Sequence, residues 1–457
     1  MIDRGNPRIH RTLVPLDGKP SPNFDLDTPT WVGMYQASGF SYMRQHIDRP
    51  KHLLLHCVRK TSEGERQLGQ LVGGKTINST PRHLATALLL TCLVLVACSD
   101  RRAANPAEYV SIDYKMAGEA LDWLQLIKDG AGDEEIREYF MTHVASTQGC
   151  QSIVHHWARF MEWDSDKFLT FVLEGLGRIE GDGPLENADG SLTALGKRRM
   201  LWTSALENLD QLKRDVASLK QMQLTDTAAA LAARYLPHNA QLKANFYIVL
   251  FGGSSAYSVG GENGFDMLQM PRNDDNSLDV EDALRTFAHE LHHTGFGSLV
   301  DSTVSDNTSL VGILAAEGAP TYFIDGFPGR ADIYARSQNK VQNDVARDWH
   351  KHQERLPELY AQAALDIERN STGEAPVDEL FGNWMGGIKG PAYVLGADMY
   401  ATIDRYLGLD SAKVIIGDYR KLLTIYNAAA REANAGGAEC FLFDDSLASR
   451  LGRSTKS

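Results

Sequence analysis

The sequence predicts an α+β fold that is predominantly helical, with a small sheet just ahead of a histidine-bearing helix. Three observations predict it. Apolar residues recur at helical spacing over most of 112–235 and 331–433. Between these regions, Leu242 to Gly252 is dense in aromatic and β-branched residues, and Phe265 to Met270 follows a turn-rich stretch, so both read as strands. Immediately afterwards comes His289-Glu290-Leu291-His292-His293, on a segment where Val280, Leu284, Phe287 and Leu291 fall at i, i+4, i+7 and i+11. The 457 residues, 43% hydrophobic, suffice for a large core and two or three domains. A net charge of −13 without a compensating basic patch argues against nucleic-acid binding.

At the start of the chain, residues 1–97 hold 12 Lys/Arg against 7 Asp/Glu, while the remainder is net −18. Such asymmetry suggests two stretches of different fate. Lys75 and Arg82 precede an apolar run of about 14 residues ending in small side chains, the layout of a bacterial secretory signal over 83–98. The run falls short of the roughly 20 residues a bilayer span needs. Leu95-Val96-Ala97-Cys98 resembles the lipobox of bacterial lipoproteins. That resemblance implies lipidation of Cys98 as the first mature residue, and Ser99 in second place implies an outer-membrane destination in the cell envelope. Residues 1–82 are then expected to lie outside the mature protein, with Met1 a mis-assigned start and translation beginning nearer the run, for example at Leu71 or Val72. A buried core helix and an uncleaved anchor are the other readings of the run. Cys150 and Cys440 read as separate buried thiols, pairing in an oxidising envelope being the alternative.

Residues 99–240 form a helical N-terminal region. A tether over 99–110 leads into a helix from Ile112 marked by Ala117, Ala120, Leu121, Leu124 and Ile127. Further helices are expected at Asp133 to Phe140, 147–160, 164–178, Thr193 to Met222 and Thr225 to Tyr235, the last stopping before Pro237. His143, His155 and His156 have no second ligand nearby in the sequence and read as surface or satisfied core residues.

Residues 241–330 hold the chemistry. On a helix, i and i+4 lie about 40° apart, so His289 and His293 share a face and can bind one Zn2+. Glu290 is offset by about 60°, placed to take a proton from a metal-activated water as general base. The apolar stripe should face the core, leaving the histidines toward a cleft. Asp279, Glu281 and Asp282 suit the helix N-terminus and Gly295 its stop. His292 points away from the metal face, as a supporting or surface residue. Glu317, 24 residues beyond His293 in an apolar segment that reads as a second helix, is the candidate third ligand. Gly260, Gly261 and Gly264 allow close backbone approach to a ligand or, more simply, make a hairpin turn.

His289, Glu290, His293 and Glu317 together resemble the gluzincin zinc peptidases, and within them bacterial lipoproteins regarded as zinc-dependent peptidases. The resemblance implies a gluzincin-like core in which a Glu from the following helix completes the zinc site and an edge strand holds extended peptide. Glu317-Gly318 followed by Tyr322 looks like the family's E-G-x-x-x-Y pattern, with Pro320 a departure that should kink the helix or start a new turn. Tyr393, in Gly390-Pro-Ala-Tyr-Val-Leu-Gly396, resembles the tyrosine that such enzymes supply from a later helix to a developing oxyanion. Tyr393 and Gly396 also share a face suited to close helix packing.

Residues 331–457 form a helical C-terminal region: Ala331 to Arg369, a segment from Gly390, one helix over Ala412 to Ala433, and a frayed end from Arg450. His350 and His352, two apart, do not share a face. The reading these features favour is an envelope-anchored zinc peptidase acting on a peptide or protein substrate and meeting the membrane through Cys98. The alternative is a non-catalytic envelope lipoprotein that keeps a zinc-binding peptidase fold. Zinc hydrolysis of another amide or ester is a third.

Overall fold

The computed structural model describes residues 110–452, apart from 159–161, 189, 191, 223, 260, 274, 301–308 and 338–339. The signal-like run, Cys98 and residues 99–109 of the tether lie outside the described residues. The described chain opens with a strand, β1 (Val110–Asp113), where the sequence suggested tether running into helix. Seven helices follow: α1 (Lys115–Lys128), α2 (Asp133–Tyr139), α3 (Gln148–Trp157), α4 (Ser165–Leu176), α5 (Ala194–Glu207), α6 (Leu209–Gln221) and α7 (Leu224–Arg234). Their ends follow local chemistry. Thr147, Asp164 and Thr193 each accept a backbone N–H from the first turn of α3, α4 and α5, and α4 stops at Gly177, whose φ of 73° suits glycine. The expected single helix over Thr193 to Met222 is broken at Asn208 into α5 and α6.

The sheet is completed by β2 (Ala244–Val249), β3 (Ala256–Val259) and β4 (Glu262–Asp266). β2 pairs in parallel with β1 on one side, Val110 opposite Ala244, and with β4 on the other. β3 pairs antiparallel to β4, which gives the order β1-β2-β4-β3. The glycine-rich stretch is therefore a hairpin, and Phe265 to Met270 is not a strand of its own. Pairing ends at Asp266, whose buried carboxylate accepts the N–H groups of Phe251, Gly252 and Leu268 and turns the chain. Gly264 does allow a close approach, but by the protein itself: a Cβ there would lie 1.9 Å from the Tyr257 ring.

Against this sheet lies α8 (Val280–Gly297), the H-E-x-x-H helix. Phe287 packs between Phe246 and Phe265, ring centroids 4.7 and 4.1 Å away. The helix is not two-faced as the apolar stripe suggested. Val280 and Leu284 are only half-buried, whereas His289, Glu290 and His292 are buried with Phe287 and Leu291, because sheet, α7 and the next helix enclose its middle. Asp279 caps its start by accepting the N–H of Asp282 at 3.1 Å. Gly295 does not stop it. The helix continues to Gly297, and the missing side chain at 295 admits the segment after α7, since a Cβ there would lie 2.3 Å from Leu236.

α9 (Leu310–Pro320) is buried on nearly all sides and ends in a wide π-helical turn, Thr321–Asp325, closed by Gly326 at φ 83°. Pro320, whose ring disfavours continued α-helical bonding, sits at the change of winding. Four helices lead on: α10 (Gly329–Tyr334), α11 (Lys340–Gln353), α12 (Leu356–Ser371) and α13 (Val377–Met385). α14 (Pro391–Leu407) then packs along α9 with backbones in contact: a Cβ on Gly318 would lie 2.4 Å from the Gly396 carbonyl carbon. The Gly396 face is thus a close-packing face, as its spacing suggested. The expected helix over Ala412 to Ala433 divides into α15 (Leu409–Gly417), a 3-10 turn at Tyr419–Lys421, and α16 (Leu422–Ala435). Arg450 is held in α17 (Asp445–Gly452), where it pairs with Glu368 on α12. Cys150 and Cys440 are both free thiols. Among the described residues no helix is long and apolar enough to cross a membrane.

Candidate metal centre

The i, i+4 spacing on α8 brings His289 Nε2 and His293 Nε2 to 3.0 Å from each other. α9 delivers Glu317 to the same point, its Oε2 3.7 Å from His289 Nε2 and 3.5 Å from His293 Nε2. A tetrahedral zinc site with bonds of about 2.0–2.2 Å places its ligand atoms about 3.3–3.5 Å apart. The three donors therefore form a triangle of the size one Zn2+ requires, and two imidazoles with one carboxylate suit that ion. Glu290 belongs to the same cluster, since its carboxylate can be grouped with the two imidazoles within 4.8 Å. It forms no ion pair with either ring, whereas Glu317 does with both, so Glu317 is the candidate third donor and Glu290 stands beside the cluster.

The electrostatics follow from burial. Burial opposes charge on Glu317, but His293 and His289 outweigh it and hold its carboxyl below the ordinary range. Burial pushes Glu290 up, with His293 and His289 acting against the rise. Burial also disfavours protonated His289, yet Asp325, Glu317 and Glu290 more than offset this and raise it to about 9. The principal partner is Asp325, whose Oδ2 lies 3.0 Å from His289 Nδ1. In the neutral ring, Nδ1–H donates to that carboxylate and Nε2 is left with its lone pair toward Glu317 and His293.

Asp325 reaches His289 because the π-helical turn after Pro320 carries the chain from Glu317 back over α8. Asp325 has no metal-ligand spacing in the sequence; an acid in the segment just past Glu317 was the available signal. Lys389 had no such signal. It lies in the loop before α14, fully buried, with Nζ 3.7 Å from Asp325 Oδ2. Burial draws its ammonium down, against the pull of Asp325, Glu317 and Glu290. Tyr393 is buried on the first turn of α14, the Lys389 ammonium 4.2 Å from its ring centre. Burial raises its phenol well above the ordinary value, and Glu317, Glu290 and Asp325 raise it further.

Other expected residues lie elsewhere. The Tyr322 hydroxyl donates to Asp404 at 3.3 Å, on α14. His292 is not a surface residue. It is 0% exposed, neither ring nitrogen has a hydrogen-bond partner, and burial holds its pKa well below the ordinary value. His350 faces Asp332 at 3.8 Å and takes no part in the cluster.

Fold and site together define a mainly helical protein with a small mixed sheet and a two-helix His-His-Glu cluster fitted to a divalent cation. Residues 164–435, more than half of the chain and including every residue of this cluster, match a family described as "Putative zinc dependent peptidase (DUF5700)". The chain belongs to that family. No curated protein and no solved structure matches it.

Proposed function

We propose that the protein is a zinc peptidase of the gluzincin kind, held in a bacterial envelope by lipid on Cys98 and acting on peptide or protein substrates. The convergence of His289, His293 and Glu317, with Glu290 beside them, carries the catalytic part of this reading. When bound, the cation polarises the scissile carbonyl and lowers the pKa of a water toward about 7. His289, His293 and Glu317 hold it. Asp325 keeps the His289 proton on Nδ1, so that Nε2 serves as ligand. Glu290, whose carboxylate burial makes a stronger base, takes the proton from the attacking water and passes it to the leaving nitrogen. Tyr393, with its proton firmly held, donates to the carbonyl oxygen as negative charge develops there. β3, the last strand of the sheet and packed near α8, offers an edge to which an extended peptide adds as a further strand.

Support for envelope anchoring is in the sequence: Lys75 and Arg82, the apolar run and Leu-Val-Ala-Cys98. The test of the activity is cleavage of a peptide library by zinc-loaded protein, read by mass spectrometry. Cleavage is expected from the wild type and not from Glu290→Gln, with zinc retained in both. A zinc-loaded wild type that cleaves nothing would favour the non-catalytic reading.

A further inference from the structure

Lys389 is a buried cation that the proposed chemistry does not use. It is 0% exposed, and its Nζ has no hydrogen bond of good geometry. Its ion-pair partner among the described residues is Asp325, through Oδ2, the same oxygen that faces His289 Nδ1. The other carboxylate oxygen, Oδ1, has no hydrogen-bond partner. Among the described residues Asp325 is thus gripped from two sides, by the imidazole and by the ammonium.

The lysine is delivered by a closely packed loop. Gly387 sits at φ 94°, the Ile388 N–H donates to Asp348 at 2.9 Å, and a Cβ on Gly390 would lie 2.7 Å from the Trp384 carbonyl oxygen. Pro391 then begins α14. The aromatic faces of Tyr393 and Phe327, 4.2 and 5.1 Å from Nζ, flank the ammonium. A cation closed off in this way is not placed to grip a substrate carboxylate.

Charge balance gives it a purpose. A divalent cation with ionised Glu317, Glu290 and Asp325 would leave the buried cluster one negative charge in excess, and Lys389 cancels it. Unpaired buried charge is costly, so removing the lysine should weaken the cluster. We infer that Lys389 is a positioning residue of the metal centre, fixing Asp325 and through it the orientation and tautomer of His289. This rests on the reading of His289, His293 and Glu317 as zinc ligands.

The experiment is zinc affinity by competition with a chromogenic chelator, on the full chain, for wild type, Lys389→Met, Asp325→Asn and the double variant. Lys389→Gln is measured in parallel and folding is checked by circular dichroism. Loss of a group that orients a metal ligand typically weakens binding about 10–100-fold. Lys389→Met is expected to fall in that range in the wild-type background and to cost less than about twofold when Asp325 is already Asn, because a residue acting through Asp325 has nothing left to act on. Unchanged affinity in Lys389→Met, or an equal loss in both backgrounds, would overturn the inference while leaving the zinc site standing. A wild type that binds no zinc would remove the site itself, and this inference with it.

Discussion

The zinc-free protein should lose stability as pH rises from neutral into the mildly alkaline range, through His289. In the folded chain its pKa is raised to about 9 from an ordinary 6.5. A group whose folded pKa is raised binds its proton more tightly in the folded state. Its contribution is therefore complete below about pH 6.5 and is lost progressively as pH climbs through about 9. At 1.36 kcal/mol for each pKa unit, the difference corresponds to about 3 kcal/mol at this fully buried site. Urea denaturation of chelator-treated protein from pH 6 to 10 measures it, and the difference from His289→Gln isolates this residue from Glu290, Glu317 and Lys389. Zinc-saturated protein should not show the decline, since the cation then takes the place of the proton on Nε2. A difference profile that is flat from pH 6.5 to 9, or that rises, would refute the pairing of His289 with Asp325.

Tyr393→Phe should retain zinc and lower kcat about 10²–10³-fold with little change in KM, as expected of a donor to developing negative charge; steady-state kinetics on a cleaved peptide decides it. Gly318→Ala should destabilise by about 1–3 kcal/mol, because its Cβ would lie 2.4 Å from the Gly396 backbone and force α9 away from α14; denaturant titration reads the change. Phe287→Ala should cost about 3–5 kcal/mol by removing the ring held between Phe246 and Phe265, measured in the same way.

The parts of the site that follow from local geometry were legible. His289 and His293 meet because four residues of helix bring side chains to one face, and Glu317 was reachable because it lies one helix further on. The wide turn that aims Asp325 at His289 depends on how α9 ends against α8, which periodicity does not encode. Lys389 enters from a loop 72 residues beyond Glu317, through tertiary packing alone. β1 was missed because four residues are too few for a strand pattern to stand out before a long helix. The half-buried stripe on α8 misled for a related reason: a helix enclosed by sheet and helices needs no polar face, and buried His292 is the residue that shows it.

The account stands most directly on zinc stoichiometry. Purified protein dialysed against zinc and then freed of excess should carry about one ion per chain. Glu290→Gln should match it, while Glu317→Ala and His289→Ala should hold far less. A wild-type chain that stays metal-free, or a Glu317→Ala variant that binds zinc as tightly as the wild type, would contradict the assignment of these ligands.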